Sequence, residues 1–226
     1  MSWIYLSHVL DEQTPLYGKN GQVSIKRARS IENGDSSNNS ELSMPAHAGT
    51  HIDAPYHFDQ AGVSLELFPP EFWQTDAVWL MEWPCDASEI LDLDRTGELL
   101  ESVPVNCELL LIRTGFENKR ASQVDTYTKQ GPGLGADVAR WLRQQRRLKY
   151  LGMDFISTSS FSHRETGREA HREFLCDSQA DSPAILLVED MALGQLQKTP
   201  ASVWIVPLRF SRADGAPVTV LAKIDG

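Results

Sequence analysis

The stretch His47-Ala48-Gly49-Thr50-His51-Ile52-Asp53-Ala54-Pro55-Tyr56-His57 concentrates the chemistry of this chain. The sequence holds six histidines, and three of them fall here with an aspartate among them. His47, His51, Asp53 and His57 all occupy odd positions. In an extended chain alternate side chains point to opposite faces, so these four would share one side. On a straight strand the α-carbons of His47 and His51 would stand roughly 13 Å apart. Gly49 lies between them and permits a bend that lets both reach one ion. A helix would also bring positions 47 and 51 together, but Gly49, two β-branched neighbours and Pro55 disfavour it. Imidazole and carboxylate together suit zinc, manganese or ferrous iron. The stretch therefore reads as the floor of a metal site.

The rest of the chain is read outward from that floor. Its 226 residues are enough for one sizeable core, and a single domain over 1–226 is expected. The net charge of −10 argues against a nucleic-acid partner, which needs a basic footprint, and against docking to anionic lipid. No apolar run approaches the ~20 residues of a membrane helix. No basic segment followed by an apolar run opens the chain, so no signal peptide is expected. Cys85, Cys107 and Cys176 are too few and too scattered for a disulfide framework or a zinc ribbon, which points to reduced thiols in the cytoplasm.

Period-two and apolar runs predict strands over Trp3–His8, Gln22–Arg27 (with Val23 and Ile25 on one face), Asp76–Trp83, Glu108–Arg113, Tyr150–Phe155, Ala184–Val188, Ser202–Phe210 and Val218–Ile224. Pro207 suggests an edge or an interruption in the seventh of these. Glu32–Ser40 and residues 116–133 read as loops, and Ser88–Leu100 as a short helix and a turn. Leu134, Val138, Trp141 and Leu142 mark a helix over Ala136–Lys149, whose basic end reads as a solvated helix terminus. Ser162 to Glu165 fits a capping box opening a second helix that runs to about Leu175, with His171 on its apolar face. Many strands with few helices imply an α/β or α+β domain. On residue pattern alone His171 also reads as a core histidine, and Glu189, at a strand end, competes with its neighbour Asp190. His8 reads as a structural residue or one behind the site.

The run from His47 to Phe58 resembles the signature of the cyclase family of metal-dependent hydrolases, whose best-understood members are bacterial kynurenine formamidase and isatin hydrolase. Weaker likenesses lie at Leu6-Ser7-His8 with Thr14-Pro15 and Tyr17, at Arg113-Thr114-Gly115, at Gly152 and Asp154, and from Ala170 through Leu175 to Glu189. The resemblance implies a swivelling β/β/α fold of mixed sheets with a few flanking helices, assembled as a homodimer or homotetramer. It implies that His47, His51 and Asp53 bind a first metal, that Asp53 bridges to a second held by His171 and Glu189, and that His57 shuttles protons. One or two ions per chain, zinc or manganese, are expected. The implied reaction is metal-assisted hydrolysis of an amide in a small molecule, an aryl formamide or a cyclic amide. A lactone hydrolase, a biosynthetic cyclase or a non-catalytic metal- or small-ligand-binding protein are the alternatives. Two departures from the formamidases stand out. After Asp154 they carry a Pro and then Ser-x-Asp, where this chain reads Phe155-Ile156-Ser157-Thr158-Ser159. The polar insert Cys176–Ser182 also lengthens the span between His171 and Glu189.

Overall fold

Leu109-Leu110-Leu111-Ile112 is apolar at every position because both faces of its strand are covered. Leu110 and Ile112 point into a core shared with the helices, while Leu109 and Leu111 point into a second core on the other side of the sheet. All four are fully buried, each contributing roughly 1.5–3 kcal/mol of hydrophobic stabilisation. This computed structural model describes residues 2–176 and 182–224; residues 177–181, most of the insert noted above, lie outside it.

In chain order the strands and helices are β1 (Ser2–Tyr5), β2 (Ser24–Arg29), β3 (Asn39–Ser43), β4 (His51–Asp53), β5 (Gln74–Thr75), β6 (Val78–Glu82), β7 (Ile90–Leu91), α1 (Leu93–Glu101), β8 (Leu109–Arg113), α2 (Val124–Lys129), β9 (Gly133–Leu134), α3 (Ala136–Gln145), β10 (Tyr150–Met153), α4 (Arg164–Leu175), β11 (Leu186–Glu189), β12 (Ser202–Pro207) and β13 (Gly215–Ile224). Among the described residues the main sheet has nine strands. Eight follow the order β5-β12-β13-β4-β11-β10-β8-β6, and β1 pairs with β13 off this path. β6, β8, β10 and β11 run parallel, and every other pairing in the sheet is antiparallel. The fold is thus mixed α/β, with four helices over one face. β2 and β3 form a separate hairpin whose residues are almost all exposed.

Several sequence expectations need correction. Residues 116–133 contain α2, a six-residue helix that is short and polar enough to read as loop. Val23 is buried but precedes its strand, and Ile25 is exposed, so the two do not share a buried face. Ser162 caps nothing: α4 starts at Arg164 after a 3-10 turn, and the Ser162 hydroxyl donates instead to Lys129 O. The basic end of α3 is not simply solvated. Arg143 is buried and donates to Glu173 O and Cys176 O at the end of α4, and Arg146 donates to Leu100 O and Glu101 O at the end of α1. Each thereby satisfies carbonyls that a helix end leaves without partners.

Candidate metal centre

The 47–57 stretch is not one straight strand. Only His51–Asp53 is extended, as β4, and the chain turns before it and enters a 3-10 turn at Pro55–His57. The turn occurs at Gly49, where φ is +62° and an added Cβ would stand 2.6 Å from Leu10 Cδ2. Any side chain there would meet both a disfavoured backbone conformation and a clash. The single extended face expected for all four residues therefore does not form; the bend brings them together instead. His47 Nδ1 lies 2.7 Å from Asp53 Oδ1, and the His47 and His51 rings are 5.2 Å apart.

The second half of the site arrives through strand pairing. β4 lies antiparallel to β11, with His51 opposite Glu189 and Asp53 opposite Leu187. Glu189 Oε2 stands 3.4 Å from His51 Nε2. α4 packs over this edge and sends down His171, whose Nε2 is 3.6 Å from Asp53 Oδ2 and 3.5 Å from Glu189 Oε1. The approach is close because Gly167 has no side chain; a Cβ there would overlap Ser159.

Two features prepare this cluster for a cation. His51 Nδ1 is 2.8 Å from Gly49 O, and His171 Nδ1 is 2.8 Å from Gly167 O. A main-chain carbonyl accepts only, so each Nδ1 carries a hydrogen and each Nε2 can present a lone pair. Both Nε2 atoms face the carboxylates of Asp53 and Glu189. His51, Asp53 and Glu189 each offer one ligand atom within 4.8 Å of the others, and His47, Asp53 and His57 do the same. Asp53 belongs to both groups. Nitrogen and oxygen donors in these numbers, with two buried carboxylates, fit a divalent cation.

The carboxylates favour positive charge at this place, a proton on the imidazoles or a cation in its stead. Burial opposes charge on His171, yet Asp53 and Glu189 outweigh it and lift the imidazole to about 10. Burial likewise opposes charge on His47, and Asp53 with Asp214 raises it to about 10. Burial would raise Asp53, but His47 and His171 hold it well below the usual carboxylate range. For His57 burial prevails over Asp53, and its pKa falls below 6.5.

Sequence reasoning missed Asp214. It sits just before β13, with Oδ2 2.9 Å from His47 Nε2 and 3.5 Å from His57 Nδ1. A lone carboxylate beside a glycine in a turn carries no spacing signal. Asp190, the competitor of Glu189, faces elsewhere. Its φ is +53°, and it pairs with both Arg120 Nε and Nη2 at 2.8 Å and accepts from the Tyr127 hydroxyl. Thr50 Oγ1 donates to Asp190 O and receives the His8 main-chain N–H, tying the histidine stretch to the end of β11. His8 thus stands behind the site, and His163 is exposed. Where the sequence departs from the formamidases, Thr158 N–H and the Ser157 hydroxyl donate to Glu189 Oε1 at 2.6 and 3.3 Å.

The family model named Cyclase, described as "Putative cyclase", matches residues 4–160. The chain belongs to the cyclase family. Among the relatives of this cyclase-family chain is cyclase-like protein 2 of Oryza sativa subsp. japonica, 29% identical over 94% of the chain and 76% of that protein. Kynurenine formamidase of Bacillus mycoides is 27% identical over 98% of the chain and 97% of its own length. The fold matches that of isatin hydrolase A from Labrenzia aggregata, solved with benzyl benzoate bound, at a TM-score of 0.82 and 21% identity, covering 100% of this chain and 94% of that one.

Proposed function

We propose that this cyclase-family chain is a metal-dependent hydrolase that cleaves an amide bond in an aryl formamide or a cyclic aryl amide. The observation that carries the reading is the inward-facing pair of Nε2 atoms on His51 and His171, set against Asp53 and Glu189 with His57 alongside. The names of its relatives, kynurenine formamidase among them, support the same reaction class. We assign His47, His51 and Asp53 to one ion, and Asp53, His171 and Glu189 to a second, with zinc or manganese as the occupants. A divalent cation held by these residues would lower the pKa of water towards neutrality and polarise a carbonyl.

The chain supplies the remaining steps. His57 lies beside the cluster, its ring 4.1 Å from that of His47, with Nδ1 directed at Asp214. It takes the proton as water oxygen adds to the carbonyl carbon, and returns it to the nitrogen as the C–N bond breaks. Asp214 holds the His57 ring in orientation. The products are a carboxylate and a free amine. No covalent enzyme intermediate is involved.

Among the described residues no helix is long and apolar enough to cross a membrane. We place the protein in the cytoplasm, a reading supported by its few and scattered cysteines. We also propose a homodimer or homotetramer: Trp3, Tyr5, Trp204 and Val206 are exposed together on the outer face of β1 and β12, with Trp3 and Trp204 6.4 Å apart in edge contact. The deciding experiment is an activity screen over N-formyl aromatic amines, isatin-like lactams and lactones, with metal content measured in parallel. Turnover of a formamide or lactam by metal-loaded protein, lost on chelation, is the expected result. Turnover by metal-free protein would sink the mechanism.

A further inference from the structure

The metal centre opens into a cavity of about 460 Å³ whose wall is apolar and aromatic where Leu16, Tyr17, Phe58 and Ile156 line it. Arg164 and Arg168 also line it. On α4 these two stand at positions i and i+4 with His171 at i+7, so all three share one helix face. At 1.5 Å per residue, Arg168 is about 4.5 Å and Arg164 about 10.5 Å along the helix axis from His171. The helix thus runs from the metal centre to a positively charged rim, in a chain whose net charge is −10.

Both guanidinium groups are held in place without being used up. Arg164 stacks over the Phe161 ring at 3.9 Å, and Phe161 makes an edge contact with Tyr17 at 5.5 Å. Stacking occupies the face of the guanidinium and leaves its N–H edge free. Arg168 pairs through one nitrogen with Glu165, whose side chain is 86% exposed. Such a pair is weak and leaves the remaining donors of the fork available. Among the described residues that line the cavity, Asp53 and Glu189 are the only carboxylates, and both belong to the metal centre. A substrate carboxylate therefore meets two cations at the rim, while a substrate ammonium meets no carboxylate on the wall outside the metal centre.

We infer that the site selects a monoanionic aryl amide whose carboxylate lies across the ring from the bond to be cleaved, received by Arg164 and Arg168. An α-amino-acid side arm, with its ammonium, is disfavoured. The aryl ring lies against Phe58 and Tyr17 with its amide carbonyl at the metal centre. This rests on the amide-hydrolase reading above.

The test uses two pairs of compounds. The first pair, para-formamidobenzoate and formanilide, reads turnover. The ratio of kcat/KM for the acid over the neutral compound should exceed one, fall about tenfold in Arg168→Ala and in Arg164→Ala, and recover in part in Arg168→Lys. It should also fall as salt is raised. The second pair, para-acetylbenzoate and acetophenone, has no hydrolysable bond and reads binding by calorimetry on the protein as purified. Tighter binding of the acid, lost in the alanine variants, supports the inference even if neither formamide is cleaved, in which case only the amide-hydrolase reading falls. Equal affinity for the two ketones, or a preference for the acid that survives both alanine substitutions, overturns the inference whatever the turnover shows.

Discussion

Glu189 and Asp190 are sequence neighbours whose carboxylates serve separate clusters. Glu189 faces His51 and His171, while Asp190, at a φ of +53°, turns back to Arg120 and Tyr127. The backbone conformation that separates them is disfavoured for a residue with a side chain, and the doubly bonded Arg120 holds it in place. Arg120→Ala leaves Asp190 buried and without its cation, an arrangement that costs about 3–5 kcal/mol. Thermal unfolding should show a large drop in Tm, and metal affinity should fall with it because the end of β11 loses its anchor. A variant that unfolds normally and binds metal as tightly as the parent would remove the anchoring role.

Glu189→Gln tests the second ion. The amide keeps the volume and removes the charge that faces His171, so metal content by elemental analysis should fall from two ions per chain to one. An unchanged stoichiometry would show that the second ion sits elsewhere.

For His57 the expectation is a split between binding and turnover. His57→Ala should retain its metal and lose turnover by about 10²–10⁴-fold, the usual contribution of a general acid–base group. Loss of metal instead would mean that His57 belongs with His47 and Asp53 as a ligand, which their mutual spacing also permits.

Chelation should destabilise the fold itself. The proposed ligands come from β4 and the turn before it, from α4 and from β11, so a bound cation would stabilise the folded state and not the unfolded chain. Dialysis against a chelator should lower Tm by on the order of 10 °C, and restoring zinc or manganese should reverse the loss. Identical melting curves with and without metal would contradict a buried site.

Two thiols report on alkaline stability. Burial pushes Cys85 and Cys107 up to about 12. The folded chain therefore holds these protons more tightly than the unfolded chain, whose thiols ionise near 9. Their contribution is complete below pH 9 and is lost as pH rises from there towards 12. The urea midpoint should be lower at pH 10 than at pH 8, with a smaller difference in Cys107→Ala. Neither thiol should react readily with an alkylating reagent at pH 8 in the native state.

The sequence made legible whatever depends on local spacing. Gly49 between two histidines announced a bend, and apolar runs marked β8, β10 and β11. His171 was reachable only through resemblance to a family, because nothing in its own surroundings separates a ligand from a core histidine; Glu189 also stood out as the acid ending a buried strand, with Asp190 as its competitor. Asp214 stayed hidden for a different reason: its partner His47 lies 167 positions away in sequence. α2 was hidden by being a single polar helix of six residues. The arginines after Trp141 looked like surface charge because the carbonyls they satisfy belong to other helices.

The antiparallel register that sets His51 opposite Glu189 also places the site in time. Thr50 and Asp190, which brace the same junction, are 140 positions apart. A chain emerging from the ribosome displays His47, His51 and Asp53 long before His171 and Glu189, which complete the proposed ligand set. Until β11 has been made and has paired with β4, a cation finds only half a site. Metal capture is therefore tied to one of the longest-range closures in the fold. A chain truncated before β11 would lack Glu189 and hold a cation weakly.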